Sequence, residues 1–248
     1  MPMKIPAIRG VIDRRILVNF QVDPEVLSKV VPDPFSPKLV GGSGIAGVCL
    51  IRMKEIRPRV FPSWVGISSE NAAHRIAVEW SSLGQSHEGV YIPRRDTSSR
   101  LNTLVGGRLF PGLHHPARFE VQEADGYYSV SLRSKDGDVR VEVAGRIASE
   151  LPRESVFGSL EEASGFFERG SVGYSATEDA GRFDGLELRS FSWRVEPLAV
   201  ERVYSSFFSN EDIFPKGSVR FDCALLMHGI EHEWHAREPL CQCEPDAA

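Results

Sequence analysis

Two Asp-Gly dipeptides, Asp125-Gly126 and Asp136-Gly137, each stand between segments of alternating polarity. Asp-Gly supplies the backbone conformations of a tight hairpin, so the pattern predicts three antiparallel strands in a meander. The strands are ARFEVQEA (117–124), YYSVSLRS (127–134) and DVRVEVAGRI (138–147). A meander whose residues alternate in polarity must bury one face, and the rest of the chain has to supply the cover.

Further strands are legible on either side. RILVNFQV (15–22), GIAGVCLIRM (44–53) and AHRIAVEW (73–80) are rich in β-branched and aromatic residues. The second is almost continuously apolar, as in a strand covered on both faces. Between 44–53 and 73–80, IRPRVFPSWVGISSEN reads as a Pro/Gly-punctuated loop ending at Glu70 and Asn71; Arg57-Pro-Arg59 and Trp64 in it would form a lid or a surface loop. LELRSFSWRVEP (186–197), LAVERVY (198–204) and SVRFDCALLMHGIEHEWH (218–235) suggest three more strands, with Pro197 separating the first two.

Two short helices are marked by their caps. Asp23-Pro24-Glu25 is an N-cap, a first-turn proline and an acidic residue at the positive end of the helix dipole. That helix ends before Pro32. Ser159 and Glu162 have capping-box spacing and Gly170 is a stop, predicting a helix over 160–169. Many strands with few helices imply a mainly β (α+β) chain forming one closed or nearly closed antiparallel barrel or sandwich. The 248 residues read as one domain, with a core of about 10–235 and a loose tail over 236–248.

Composition narrows the function. No stretch approaches the roughly 18 apolar residues of a membrane helix, and the first fifteen residues lack a secretory signal's apolar centre. A net charge of −5 argues against a general nucleic-acid binder. Four cysteines make no disulfide scaffold and point to a reducing, cytoplasmic compartment. Of 29 basic residues only six are lysine, which restricts covalent amine chemistry. Phosphate-loop, nucleophile-elbow, zincin and dinucleotide motifs are absent, so no cofactor is expected.

Residues 68–118 concentrate groups suited to a small anionic ligand: Glu70 and Asn71, His74 and Arg75, Tyr91, Arg94, Arg95 and Asp96, Arg100, Arg108, His114 and His115. An arginine clamps a carboxylate and a histidine moves protons near neutral pH. Successive strand residues face opposite ways, so only one of Arg94 and Arg95 enters a pocket. Asp96 would otherwise cap a helix starting at Thr97 or Ser98. His228 and His232 could share a metal on a helix, but on a strand they stand about 13 Å apart. The preceding VRFDCALLM favours the strand, so no metal is expected there. Cys241 and Cys243 read as idle thiols in the tail.

VNFQVDPEVLSKVVPDPF (18–35) resembles the N-terminal signature of the acetoacetate decarboxylase-like superfamily. SSENAAHRIAVEW (68–80), GVYIPRRDTSSRLN (89–102) and GGRLFPGLHH (106–115) are similar to its DUF2071 (YqjF-like) branch. The resemblance runs over roughly residues 10–235, most strongly from 15 to 118. It implies the family's β-barrel or cone with a few short helices packed outside. The family's decarboxylase uses two adjacent lysines, one forming a Schiff base; here His114 or His115 occupies that position. Imidazole makes no stable iminium, so Schiff-base decarboxylation is not expected unless a distant lysine such as Lys54 reaches in. The family glutamate has its counterpart in Glu70, and a family arginine in Arg14 or Arg15.

The resulting expectation is a small-molecule enzyme acting on a carbonyl or carboxylate compound by non-covalent acid–base chemistry, in the manner of a lyase, hydratase or isomerase. His115 or His114 would be the acid or base, with Glu70 as partner. Arg94 or Arg95, His74 and Arg108 would hold substrate. The alternative is a non-catalytic small-molecule-binding barrel. Nucleic acid and membrane are not expected partners, and a homo-oligomer is compatible with the edge strands.

Overall fold

A computed structural model describes residues 7–82, 84–99 and 112–242. Five long strands form a central wall in the order β13 (Val219–Cys241), β1 (Ile8–Val22), β4 (Ser43–Pro58), β5 (Ile67–Ser82) and β6 (Gln85–Thr97). Two arcs of shorter strands join the wall's outer edges. One is β10 (Val172–Ala176) with β11 (Arg182–Ser190); β10 pairs with β6 and β11 with β13. The other runs β7 (His114–Ala124), β8 (Tyr127–Ser134), β9 (Arg140–Ile147) and β12 (Glu196–Ser205), from β6 back to β13. The sheet thus closes into a seven-stranded and a nine-stranded ring that share the wall. Short β2 (Ser36–Pro37) and β3 (Leu39–Val40) flank β5 and β4.

Because each arc closes over one face, the wall is covered on both sides, and β1 is continuously buried from Ile16 to Val22. Ile16, Val18 and Phe20 pack with Val130, Leu132, Val141, Val143 and Leu198 of the larger ring. Leu17, Cys49, Leu225 and Met227 face the other way, against Phe157, Phe166 and Phe167. The two phenylalanines at 166 and 167 belong to α2 (Leu160–Arg169), whose Ser159 Oγ accepts the Glu162 N–H at 3.1 Å. The Glu162 carboxylate accepts the Gly158 N–H at 2.8 Å, completing a capping arrangement one residue outside the expected one. In α1 (Pro24–Val30), Asp23 caps Glu25 N–H at 2.8 Å, as its sequence requires.

The meander forms as expected, although its two turns differ. Asp125 and Gly126 both have positive φ (50° and 74°), fitting a two-residue hairpin. At the second turn only Gly137 does, and Asp136 instead accepts the Asp138 N–H at 3.1 Å.

Several boundaries move. The loop expected over 56–71 shrinks: β4 reaches Pro58 and β5 starts at Ile67, so Glu70 and Asn71 lie in a strand paired on both sides. Trp64, 84% exposed, sits in the remaining surface loop. Thr97 ends β6 and no helix starts there or at Ser98, so Asp96 is a strand residue rather than a cap. The break expected at Pro197 falls at 191–195; Pro197 lies at the start of β12, where the strand leaves β13 for β9. Residues 236–241, expected as loose tail, extend β13 along β11. His228 and His232 lie on β13, and among the described residues no three potential ligands converge as a metal site. Cys243 falls outside the described residues. Among the described residues no helix is long and apolar enough to cross a membrane.

Gly47 holds the wall together at its closest approach: a Cβ there would lie 2.0 Å from the Val18 carbonyl oxygen. It stands between Asn19 and Arg75 in one cross-strand row. Gly47→Ala is expected to lower unfolding free energy by about 3 kcal/mol, read by urea denaturation, because backbone rather than a mobile side chain has to move. A loss below about 1 kcal/mol would mean that the wall relaxes there.

Candidate functional site

The seven-stranded ring encloses a cavity of about 120 Å³. Its wall side carries Arg15, Cys49, Asn71, Ala73, Arg75 and Arg95, and its far side Gly173, Leu186 and Leu188, with Phe167 of α2 and Trp193 completing the lining. Strand register explains how three arginines arrive together. The rows Arg15–Ile51–Asn71, Leu17–Cys49–Ala73–Arg95 and Asn19–Gly47–Arg75 run across neighbouring strands on one face.

Arg95 reaches that face through a β-bulge. Tyr91 pairs with Ile76 and Arg94 with His74, so Ile92 and Pro93 together oppose Arg75. Val90 and Ile92 face the cavity; the extra residue reverses the alternation, and Arg95 rather than Arg94 continues their line. Proline, lacking an N–H, fits a bulge that interrupts the ladder.

The three guanidiniums have neutral hydrogen-bond partners. Arg15 Nε donates to Cys49 Sγ at 3.0 Å, Arg95 Nε donates to Ser175 Oγ at 3.0 Å, and Arg75 Nη2 donates to Asn19 Oδ1. Arg15 lies 5.8 Å from the centre of the Trp193 ring and Arg75 lies 4.7 Å from that of Phe167. Arg75 is 4% exposed, and its Nε, like Arg15 Nη1, has no hydrogen-bond partner among the described residues. Burial pulls the pKa of Arg75 down to about 10, with Cys49 opposing and Arg15 adding to the shift. Burial likewise brings Arg95 down to about 10.

His114 borders the same cavity, opposite Arg95 in the parallel β6–β7 pair. Its Nδ1 is 3.1 Å from the Gly112 carbonyl oxygen, so the tautomer that donates there carries the accepting nitrogen at Nε2. Burial, then the charge of Arg95, lower its pKa to about 4, and the ring is neutral at neutral pH.

The remaining expected site residues lie elsewhere. His115 Nδ1 is 3.0 Å from Asp136, whose other partners include Arg94 Nη2 at 2.7 Å. Arg94 also holds Asp96, which borders the cavity through its strand but has its carboxylate on the guanidinium of Arg94 at 3.1 Å. Glu70 belongs to a charge-balanced cluster on the opposite face of the wall: Arg14 and Arg52 contact it at 2.6 and 2.7 Å and both also contact Glu123. No hydrogen bond or ion pair joins Glu70 to either histidine among the described contacts, because the pleat sends Glu70 away from the cavity and Asn71 toward it. His74 points to the same side as Glu70, packed 4.7 Å from the Phe207 ring. Arg108 lies outside the described residues. Lys54 is half exposed and bound to Asp13 at 2.8 Å.

Comparison with known proteins now becomes informative. A family model, DUF2071, described as an uncharacterized conserved protein, matches residues 12–219. The chain belongs to the DUF2071 family. No curated protein sequence matches it. Among solved structures it is similar to an acetoacetate decarboxylase from Legionella pneumophila, at TM-score 0.58 and 11% identity over 96% of this chain and 93% of that one. It is also similar to the enduracididine biosynthesis enzyme MppR, complexed with the condensation product of pyruvate and imidazole 4-carboxaldehyde (TM-score 0.62, 8% identity, 97% and 90% covered). A third is an acetoacetate decarboxylase-like enzyme from Sphingomonas wittichii RW1 (0.58, 8%, 96% and 93%). At these identities the likeness establishes the fold: DUF2071 shares the acetoacetate decarboxylase-like architecture.

Sequence reading included Arg75 among the ionisable residues of 68–118 without giving it a role, missed Cys49 and Trp193 as cavity residues, and placed Arg15 only as a family counterpart. A signal existed: Arg75 interrupts the apolar run AHRIAVEW, and a charge inside a strand buried on both faces needs a reason.

The buried histidines make stability depend on pH. Burial lowers the pKa of His74 to about 3 and of His232 to about 4, as it does His114. The unfolded chain takes up these protons near 6.5, so the stabilisation is complete above that pH and is lost as pH falls toward 4. Between about pH 7.5 and 5.5, unfolding free energy should decline, with fully buried His74 contributing a slope approaching about 1.4 kcal/mol per pH unit. His74→Phe should make the decline shallower; an unchanged slope would contradict the neutral, buried state of this ring.

Proposed function

We propose that this chain binds a small carboxylate-bearing carbonyl compound in the seven-stranded lumen and transfers protons to and from it without forming a Schiff base. The observation that carries this reading is the convergence of Arg15, Arg75 and Arg95 on one cavity beside His114. Buried guanidiniums without carboxylate partners are strong recognition elements for an anion, because binding replaces weak neutral contacts with charge-assisted ones. Arg95, one strand from His114, is the expected carboxylate anchor, and a carbonyl on the adjacent carbon then lies toward the imidazole.

Neutral His114 accepts the proton. Its basicity should rise on ligand binding, since the charge of Arg95 is the second cause of its lowered pKa and a bound carboxylate offsets that charge. No lysine lines the cavity among the described residues, and residues 100–111 contain none. The solved complexes of MppR, one with pyruvate and one with a pyruvate condensation product, support a 2-oxo acid as the kind of compound this architecture accommodates. Cys49, Cys223 and Cys241 are free thiols, which fits a cytoplasmic setting.

Pyruvate tests the reading. It should raise the melting temperature of the wild-type protein but not of Arg95→Gln, and borohydride treatment with pyruvate should leave the intact mass unchanged. Deuterium exchange at the carbon next to the carbonyl should fall by about 10²-fold in His114→Ala. A borohydride-fixed adduct on lysine would overturn the non-covalent chemistry. An equal thermal shift in Arg95→Gln would remove the anchor, and a wild type that binds but does not catalyse exchange would make the barrel a binding protein.

A further inference from the structure

We infer that the lumen is built for a ligand with two separated negative charges, a short dicarboxylate, rather than for a monocarboxylate. The inference rests on the anion-binding reading above and sharpens it.

The charge balance of the two faces of the wall differs. On the face of the larger ring, Arg14 and Arg52 share Glu70 and Glu123, Asp13 joins Arg52 and Lys54, and Arg94 is held by Asp96, Asp136 and Asp138. On the cavity face three arginines are partnered by a thiol, an amide and a hydroxyl. Among the described residues Asp96 is the one acidic residue lining this cavity, and its carboxylate is on Arg94; Glu88, in a small pocket that Arg15 and Arg75 also line, is paired with Lys38 and Arg169. Residues 100–111 contain no Asp or Glu. Bringing guanidiniums out of water costs free energy that one carboxylate offsets for one or at most two of them. Arg75, almost fully buried with its Nε unpartnered, adds a polar atom that a second carboxylate would satisfy.

Spacing indicates how the two charges are arranged. Arg15 stands on β1 and Arg95 on β6, with β4 and β5 between them, so their Cα atoms are set about 14 Å apart across the wall. Arg75 stands on β5, beside β6, one row beyond Arg95 and two rows beyond Arg15. Guanidinium groups rooted on three strands and three successive rows suit carboxylates a few ångströms apart better than one compact phosphate. A lumen of about 120 Å³ is close to the roughly 150 Å³ that holds a benzene ring, which suits a ligand of about three to five carbons. Apolar Ile51, Ile92, Leu186 and Leu188 fit the methylenes between the charged ends.

Matched ligand pairs decide the matter in calorimetric titrations of the full chain at low ionic strength: succinate against butyrate, and 2-oxoglutarate against 2-oxopentanoate, with inorganic phosphate alongside. The dicarboxylate of each pair should bind at least about tenfold tighter than its partner, and phosphate should bind more weakly than succinate. In Arg75→Gln the preference should collapse to below about threefold; this variant loses a buried charge, and the wild-type comparison stands without it. Equal binding within each pair in wild type would overturn the dicarboxylate assignment while leaving the anion pocket intact. Phosphate binding as tightly as succinate would overturn it in favour of one compact anion. Failure of every carboxylate, pyruvate included, to bind at millimolar concentration would remove the pocket reading and this one together.

Discussion

Hydrogen bonding across the five-stranded wall is the constraint from which the rest of the molecule follows. Each wall strand is paired on both sides, and arcs joined to β6 and β13 close over opposite faces. A strand covered on both faces has no side facing solvent on which to place charge cheaply. Polar side chains on the wall must therefore be partnered within one ring or the other. Close approaches such as Gly47 against Val18 set how near the strands come, and hence which rows of side chains meet.

The pleat turns adjacent residues into members of different chambers. Arg14 and Arg15, Glu70 and Asn71, His74 and Arg75, and Arg94 and Arg95 each send one side chain to either face. In every one of these pairs the second residue borders the cavity, while the first lies among balanced charges or aromatic rings. Of the two histidines on β7, His114 borders the cavity and His115 joins Asp136. The wall thereby separates a self-neutralised electrostatic environment from one with an excess of positive charge, only one strand thickness away. This separation lets a chain of net negative charge maintain a strongly cationic lumen.

What could be read in the sequence followed what is local in physics. Asp-Gly turns, the Asp23 and Ser159 caps and the alternating meander depend on neighbours a few residues away, and all formed. The resemblance to a known family carried the architecture. The site was only partly legible, because membership depends on which face a residue occupies. For Arg94 and Arg95 the alternation was clear but its phase was not, since a bulge carries no sequence signature beyond Pro93. Glu70 was expected beside a histidine as the counterpart of the family's glutamate, in a segment read as loop; in a paired strand the pleat fixes its direction away from the cavity. Arg75 stood out as a charge in an apolar strand but was given no role, because its meaning comes from Arg15 and Arg95 two and one strands away.

The bulge at Ile92–Pro93 has an evolutionary consequence. Flattening the bulge without losing a residue would shift the following part of the strand by one register step, exchange Arg94 for Arg95 at the lumen and draw Asp96 inward with it. Such a one-residue register slip would convert a cationic chamber into one holding its own counter-ion, with strand order preserved. Ligand charge preference in this architecture can therefore change by a parity step in one strand, a shorter path than replacing each recognition residue in turn.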